Sequence, residues 1–295
     1  MVDGIFETLE EWLRNLLVGA VQKCLENAST TMGDMVDVMN ENITDTPQTW
    51  NSTLFNTLET ISQTAIVPIA VALMAIILCY DLITATIDKN NMKDTDISIF
   101  FRFGIKAWIA TYFINNVFTI VGAIFELGAD IADKALTSLF GENQKFNDIL
   151  ASQEFEEMLS ECELIDLAGT WVLSFCAYII TLIVMLIILI VTAGRMIEIL
   201  VYFCGAPIPF ATFANKEWNN VGFSFIKNMF ALALQAFFIV IIVAIYIILF
   251  NANVLEPTDL AGLTGSLLEW ICYSVICCFM LLKTGSIAKS ICNAH

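Results

Sequence analysis

LAGTWVLSFCAYIITLIVMLIILIVTAG, residues 167–194, runs its whole length without a charged side chain. A helix needs about 20 apolar residues to cross the hydrocarbon core of a bilayer, and this run exceeds that. Comparable uncharged runs lie at Thr60–Tyr80, Ala107–Phe125 and Asn228–Leu255, and a fifth at Leu260–Leu282 is interrupted only by Glu269. With 58% hydrophobic and 15% charged residues, the 295-residue chain would make a poor water-soluble domain. The fold class expected is all-α: a polytopic integral membrane protein of about five transmembrane helices.

The 13 Lys and Arg residues are unevenly shared among the gaps between these runs. Lys89, Lys93, Arg102 and Lys106 separate the first two runs, Arg195, Lys216 and Lys227 the third and fourth, and Lys283 and Lys289 follow the fifth. The other gaps hold Arg14, Lys23, Lys134 and Lys145. Positive residues are retained on the cytoplasmic side, so the expected topology is N-terminus outside and C-terminus inside. Of the 30 acidic residues, only Asp81, Asp88, Asp94, Asp96, Glu198 and Glu217 fall on that inner side. Nearly all of the formal charge of −17 therefore belongs to the outer side, which would repel free nucleic acid and suit cations or basic partners.

These runs divide the chain into an outer acidic segment (1–59), a first pair of spans (60–127), an outer acidic loop (128–166) and a three-span region with an inner Pro-containing loop and short tail (167–295). The start, MVDGIFETLEEWLRNLLVGAV, lacks the basic region of a cleavable signal peptide. Ile5, Phe6, Leu9, Trp12, Leu13, Leu16, Leu17 and Val21 recur at helical spacing. Such an amphipathic helix lies on the outer leaflet, on a neighbouring subunit or on the protein's own membrane domain. Residues 27–59, rich in Thr, Asn, Met and Asp around Pro47, read as an outer loop with short helices. Glu126–Asp166 reads as two amphipathic helices broken near Gly141. The acceptor triplets at Asn42 and Asn51 are common by chance.

Most of the nine cysteines sit in or beside apolar runs, where Cys acts as a small hydrophobe. Cys24 and Cys162 lie in outer segments and would pair only if their helices meet. The single His is terminal, no Cys/His spacing forms a metal set, and no nucleophile elbow, P-loop or dinucleotide turn occurs. The expectation is a protein without cofactor or enzymatic activity.

Residues 192–235 are the most distinctive: TAGRMIEILVYFCGAPIPFATFANKEWNNVGFSFIKNMFALALQ. Arg195 and Glu198 stand three apart, placed to pair on one helical face or, for Arg195, to snorkel to the headgroups. Gly205, Pro207 and Pro209 then predict a bend, because proline removes a backbone donor and clashes with the preceding turn.

In layout and in this stretch the chain resembles the TrbL-like polytopic inner-membrane subunits of bacterial type IV secretion and conjugation systems. The similarity concentrates on Arg195–Glu198, the Ala206-Pro207-Ile208-Pro209 turn, and the lead-in carrying Trp218, Phe223, Lys227 and Gln235. The resemblance implies a scaffold and translocation-channel subunit in the bacterial inner membrane, assembled as a homo-oligomeric ring, a pentamer among the options. Implied partners are other inner-membrane subunits, the ATPases, membrane lipids, and single-stranded DNA with its relaxase in transit. Lys89, Lys93, Arg102, Lys106, Lys216 and Lys227 are candidates for steering phosphate, against the plainer reading that they only set topology. Two other classes compete: a secondary transporter for a small solute, and a membrane-anchored structural protein with an acidic interaction face. Neither inverted repeats nor several buried charges, expected of a transporter, is evident in the sequence.

Overall fold

In hydrocarbon no water is available to backbone N–H and C=O groups, so long apolar runs must satisfy them internally as helices. The computed structural model describes residues 2–87, 97–140, 158–160, 162–254 and 260–294, and among these there is no strand. The helices are α1 (Val2–Asn42), α2 (Pro47–Trp50), α3 (Ser52–Ile61), α4 (Val67–Ile87), α5 (Ile97–Asn115), α6 (Val117–Phe140), α7 (Leu164–Gly205), α8 (Pro207–Ala211), α9 (Asn219–Val254) and α10 (Leu260–Ile291). A π-helical turn, Ser62–Ile66, joins α3 to α4. Among the described residues four helices are long and apolar enough to cross a membrane: Ser52–Thr84, Leu164–Gly205, Asn219–Phe250 and Leu260–Ile291. A fifth crossing is available only if the bent pair Phe103–Asn115 and Val117–Phe140 counts as one.

That second span is where the structure departs from a straight run. It bends by 60° between α5 and α6. Asn116 sits at the break, and its side-chain amide donates to the Tyr112 carbonyl at 2.9 Å, competing with the backbone ladder. α1 is also longer than the sequence suggests, because residues 27–42 continue the helix instead of forming a loop. The reason lies in a seam of buried residues spaced by three and four: Val18, Val21, Leu25, Ala28, Met32, Met35 and Met39. By contrast Leu9, Trp12, Leu13 and Leu16, earlier on the same helix, are exposed. The expected helix break near Gly141 lies outside the described residues.

The chain divides into two units, each with its own interior. One comprises Met1–Ile43, Asp133–Thr192 and Phe238–Thr284. Here α7 buries Leu167, Thr170, Ser174, Ala177, Thr181, Val184 and Ile188 in the same three-four rhythm, and α10 buries Leu263, Leu267, Trp270, Ser274, Cys277 and Leu281. Buried hydroxyls are satisfied within their own helix, as Ser174 donates to Thr170 O and Thr181 to Ala177 O. Trp270, fully buried, donates its indole N–H to the Tyr246 hydroxyl at 3.0 Å, which shares a hydrogen bond with Ser274. The Arg14 guanidinium donates to the carbonyls of Ser160 and Cys162.

The other unit comprises Thr44–Ala132, Ala193–Phe237 and Gly285–His295. Its core gathers Val121, Phe125, Ile199, Phe203, Phe210, Met229 and Leu232 from α6, α7, α8 and α9. Gly128 is required at the closest approach of α6 to α9: a Cβ there would lie 2.7 Å from the Ala233 carbonyl oxygen and 2.8 Å from its Cβ. α9 is the most buried span, with 56% of its apolar window covered against 22–28% for the other three. The apolar faces left outward, such as Ile76, Trp108 and Phe279, suit a hydrocarbon surround.

Gly128→Ala is therefore expected to lower stability by about 1–3 kcal/mol in detergent-solubilised thermal unfolding, because backbone rather than a flexible side chain meets the new methyl. Gly122→Ala, where no atom lies within 4 Å, should leave the transition unchanged.

Candidate functional site

The proline turn is the centre of the second unit. Helix α7 runs 42 residues and stops at Gly205, since Pro207 has no N–H and its ring excludes a straight continuation. α8 restarts with Pro207 in its first turn, where a missing donor costs nothing, and a 3₁₀ turn, Thr212–Ala214, follows. The Pro207 break leaves carbonyls at the end of α7 without helical partners. Ser62, fully buried in the π turn, donates its hydroxyl to Cys204 O at 2.6 Å. That π turn has its own cause six residues on: Pro68 cannot donate to Thr64 O, and the wider turn, with Val67 N–H reaching Ser62 O, relieves the clash.

Aromatic rings brace the turn. Phe203 packs on Phe55 at 4.7 Å and on Phe118 at 5.0 Å between ring centroids. Phe210 meets Phe213 at 5.5 Å and Phe225 at 6.2 Å, and Phe213 meets Phe223 at 5.2 Å. Phe213 lies so close over Gly222 that a Cβ would sit 2.7 Å from the ring. Thr212 ties the same corner, donating to Pro209 O at 2.7 Å and accepting from Gly222 N–H at 3.1 Å.

A polar bridge joins this turn to α4 and α5. Asp81 accepts from Lys106 at 2.6 Å and, through its other oxygen, from the Asn215 amide at 3.4 Å. Asn215 is buried, and its carbonyl oxygen in turn accepts from Glu217 N–H at 2.7 Å.

Arg195 is the least expected feature. It is 3% exposed, and its Nε donates to Leu232 O at 3.2 Å while one terminal nitrogen, buried, has no hydrogen-bond partner. The expected pair with Glu198 does not form, and the guanidinium does not reach toward headgroups. Its phase explains this: Ile188, Thr192 and Arg195 continue the buried rhythm of α7, so the side chain points inward. Glu198 instead accepts from Lys289 of α10 at 3.1 Å. One turn before Lys289, Gly285 packs on the buried Gln235 amide, and Gln235 stands one turn beyond Leu232. Arg195 with Leu232 O thus forms one rung, between α7 and α9, and Glu198 with Lys289 a second, between α7 and α10.

Of the other candidates, Pro207 is buried and Pro209 half-buried in the turn. Lys106 is engaged by Asp81, whereas Lys216 and Lys227 are exposed. Lys89 and Lys93 lie outside the described residues, as does the side chain of Arg102. Ser62, Asp81, Asn215, Gly285 and Lys289 escape sequence reasoning, since each acts through a partner distant in the chain, and Thr212 does because its bond to Gly222 N–H forms only once the turn has folded back. Only Pro68 offered a signal, a helix breaker within an apolar run. Among the described residues no group of three His, Cys, Asp or Glu side chains could hold a metal ion.

A family model described as TrbL/VirB6 plasmid conjugal transfer like protein matches residues 32–207, more than half of the chain. The chain belongs to this family. No curated protein and no solved structure matches it. The matched region of this TrbL/VirB6-like protein carries Ser62, Asp81, Lys106, Arg195 and Glu198 and ends at Pro207. Family and apolar helices together make it a multi-pass membrane component of a conjugation system.

A buried cation without a carboxylate is a poor source of stability, so Arg195→Met should melt at or above the wild type in detergent. A clear drop would mean that the guanidinium holds α7 and α9 together. Cys24 and Cys162, whose pairing the sequence left open, are free thiols. Burial pushes the Cys24 thiol above its usual range, so its maleimide labelling should proceed without reductant and slowly at neutral pH, accelerating as pH rises.

Proposed function

We propose that this chain is an inner-membrane scaffold and translocation-channel subunit of a type IV secretion machine for conjugative DNA transfer. The observation that carries the reading is the family match over residues 32–207, in a chain with four to five helices able to span a membrane. The uneven distribution of Lys and Arg supports an N-terminus outside and a C-terminus in the cytoplasm. In this role the protein works as a homo-oligomeric ring with the other inner-membrane subunits and the ATPases, and single-stranded DNA with its relaxase passes as cargo.

The mechanism is structural. The braced turn at Gly205–Pro209, capped by Ser62 and tied through Asn215 to Asp81, holds α7 and α9 at a defined angle. The Arg195–Leu232 contact ties α7 to α9, and the Glu198–Lys289 pair ties α7 to α10. Charges buried within spans mark working positions more often than structural ones. Arg195 is accordingly the residue most tied to function.

Deleting the gene in a donor strain should abolish plasmid transfer, with recovery on complementation by the wild type. Arg195→Met, inserted at normal level, should restore transfer poorly. Normal transfer by the deletion strain together with altered uptake of a small solute would favour a transporter instead.

A further inference from the structure

Between α5 and the first turns of α9 a groove of about 340 Å³ opens, lined by Lys106, Ile109, Phe113, Phe213, Asn219 and Phe223. Its walls are hydrocarbon, apart from one ammonium and one amide. Lys106 gives one N–H to Asp81 and is 47% exposed, so an ammonium with three donors retains capacity toward the groove. Lys227 is exposed one turn beyond Phe223 on the same helical face, and Lys216 is exposed just before α9. Against these three lysines the neighbouring acids are Asp81, already engaged, and Glu217.

We propose that this groove binds one anionic phospholipid. Lys106 and Lys227 hold its phosphate, Asn219 donates to the phosphate–glycerol region, and an acyl chain lies along Ile109, Phe113 and Phe223. A site this small seats the headgroup end and the start of one chain, leaving the rest in the bilayer. The chemistry favours lipid over nucleic acid. Phe213 is packed against Phe113, Phe210 and Phe223, which leaves Phe223 as the open ring of this cluster, and one open ring beside an apolar wall is a poor track for a strand that needs successive bases stacked. It also favours an anionic over a zwitterionic headgroup, whose ammonium would meet the surrounding Lys side chains. Lying against Phe213, which closes over Gly222, the bound lipid would wedge α5 to the start of α9 and steady the proline turn.

The test uses the full chain reconstituted into vesicles of equal phosphatidylglycerol and phosphatidylcholine, then extracted in mild detergent for native mass spectrometry. One retained phosphatidylglycerol per chain is expected. The double variant Lys106→Gln and Lys227→Gln should lower that retention about tenfold, the loss of a charge-assisted contact. Ile109→Trp fills the groove from its exposed lip without altering charge and should also remove the lipid, with helix content and elution volume unchanged. Equal retention of phosphatidylcholine, or undiminished binding by Ile109→Trp, would overturn the proposal. Displacement by glycerol phosphate would reveal a plain phosphate site, and displacement by single-stranded DNA a nucleic-acid site; either result also overturns it.

Discussion

A helix that ends inside a water-poor environment must hand its last carbonyls to some other donor, and the second unit of this protein is organised around that demand. Pro207 stops α7, and Ser62 supplies the hydroxyl that Cys204 O lacks. Ser62 can do so only because Pro68 forces a π turn that swings this segment against the break. Two prolines far apart in the chain thus create complementary defects, one missing a donor and the other presenting one. The ring cluster around Phe203 and Phe210 then fills the space a continuous helix would have occupied.

Close helix packing depends on small or weakly polar residues at particular registers. Gly128 allows the backbone of α6 to touch that of α9, and Gly222 allows Phe213 to close over the corner. In the other unit, the three-four spacing along α1, α7 and α10 gives each helix a narrow buried seam. The Ser and Thr within those seams donate back to their own helices and add no unsatisfied group.

Arg195 stands apart from this economy. A guanidinium held by a carbonyl in the interior, with a buried nitrogen left over, is disfavoured unless something other than stability maintains it. Its position one turn before Glu198, with the proline break further along the same helix, places it in the part of the chain on which the TrbL/VirB6 family match closes.

Much of the architecture was legible beforehand. The apolar runs mark the spans because transfer of side chains into hydrocarbon depends on local composition alone, and the bend at Pro207 follows from a donor that proline does not possess. The length of α1 was not: its Thr, Asn and Asp content pointed toward a loop from residue 27, whereas the buried seam from Val18 to Met39 carries the helix on to Asn42. Nor was the partner of Glu198. Arg195 lies three residues away and would have served, yet the bond goes to Lys289, 91 positions along the chain. The sequence by itself determined which segments are helical, apolar and broken, because those properties arise from neighbours within a turn or two. Only the tertiary structure decided which polar groups meet, because that depends on which helices pack together and at what rotation.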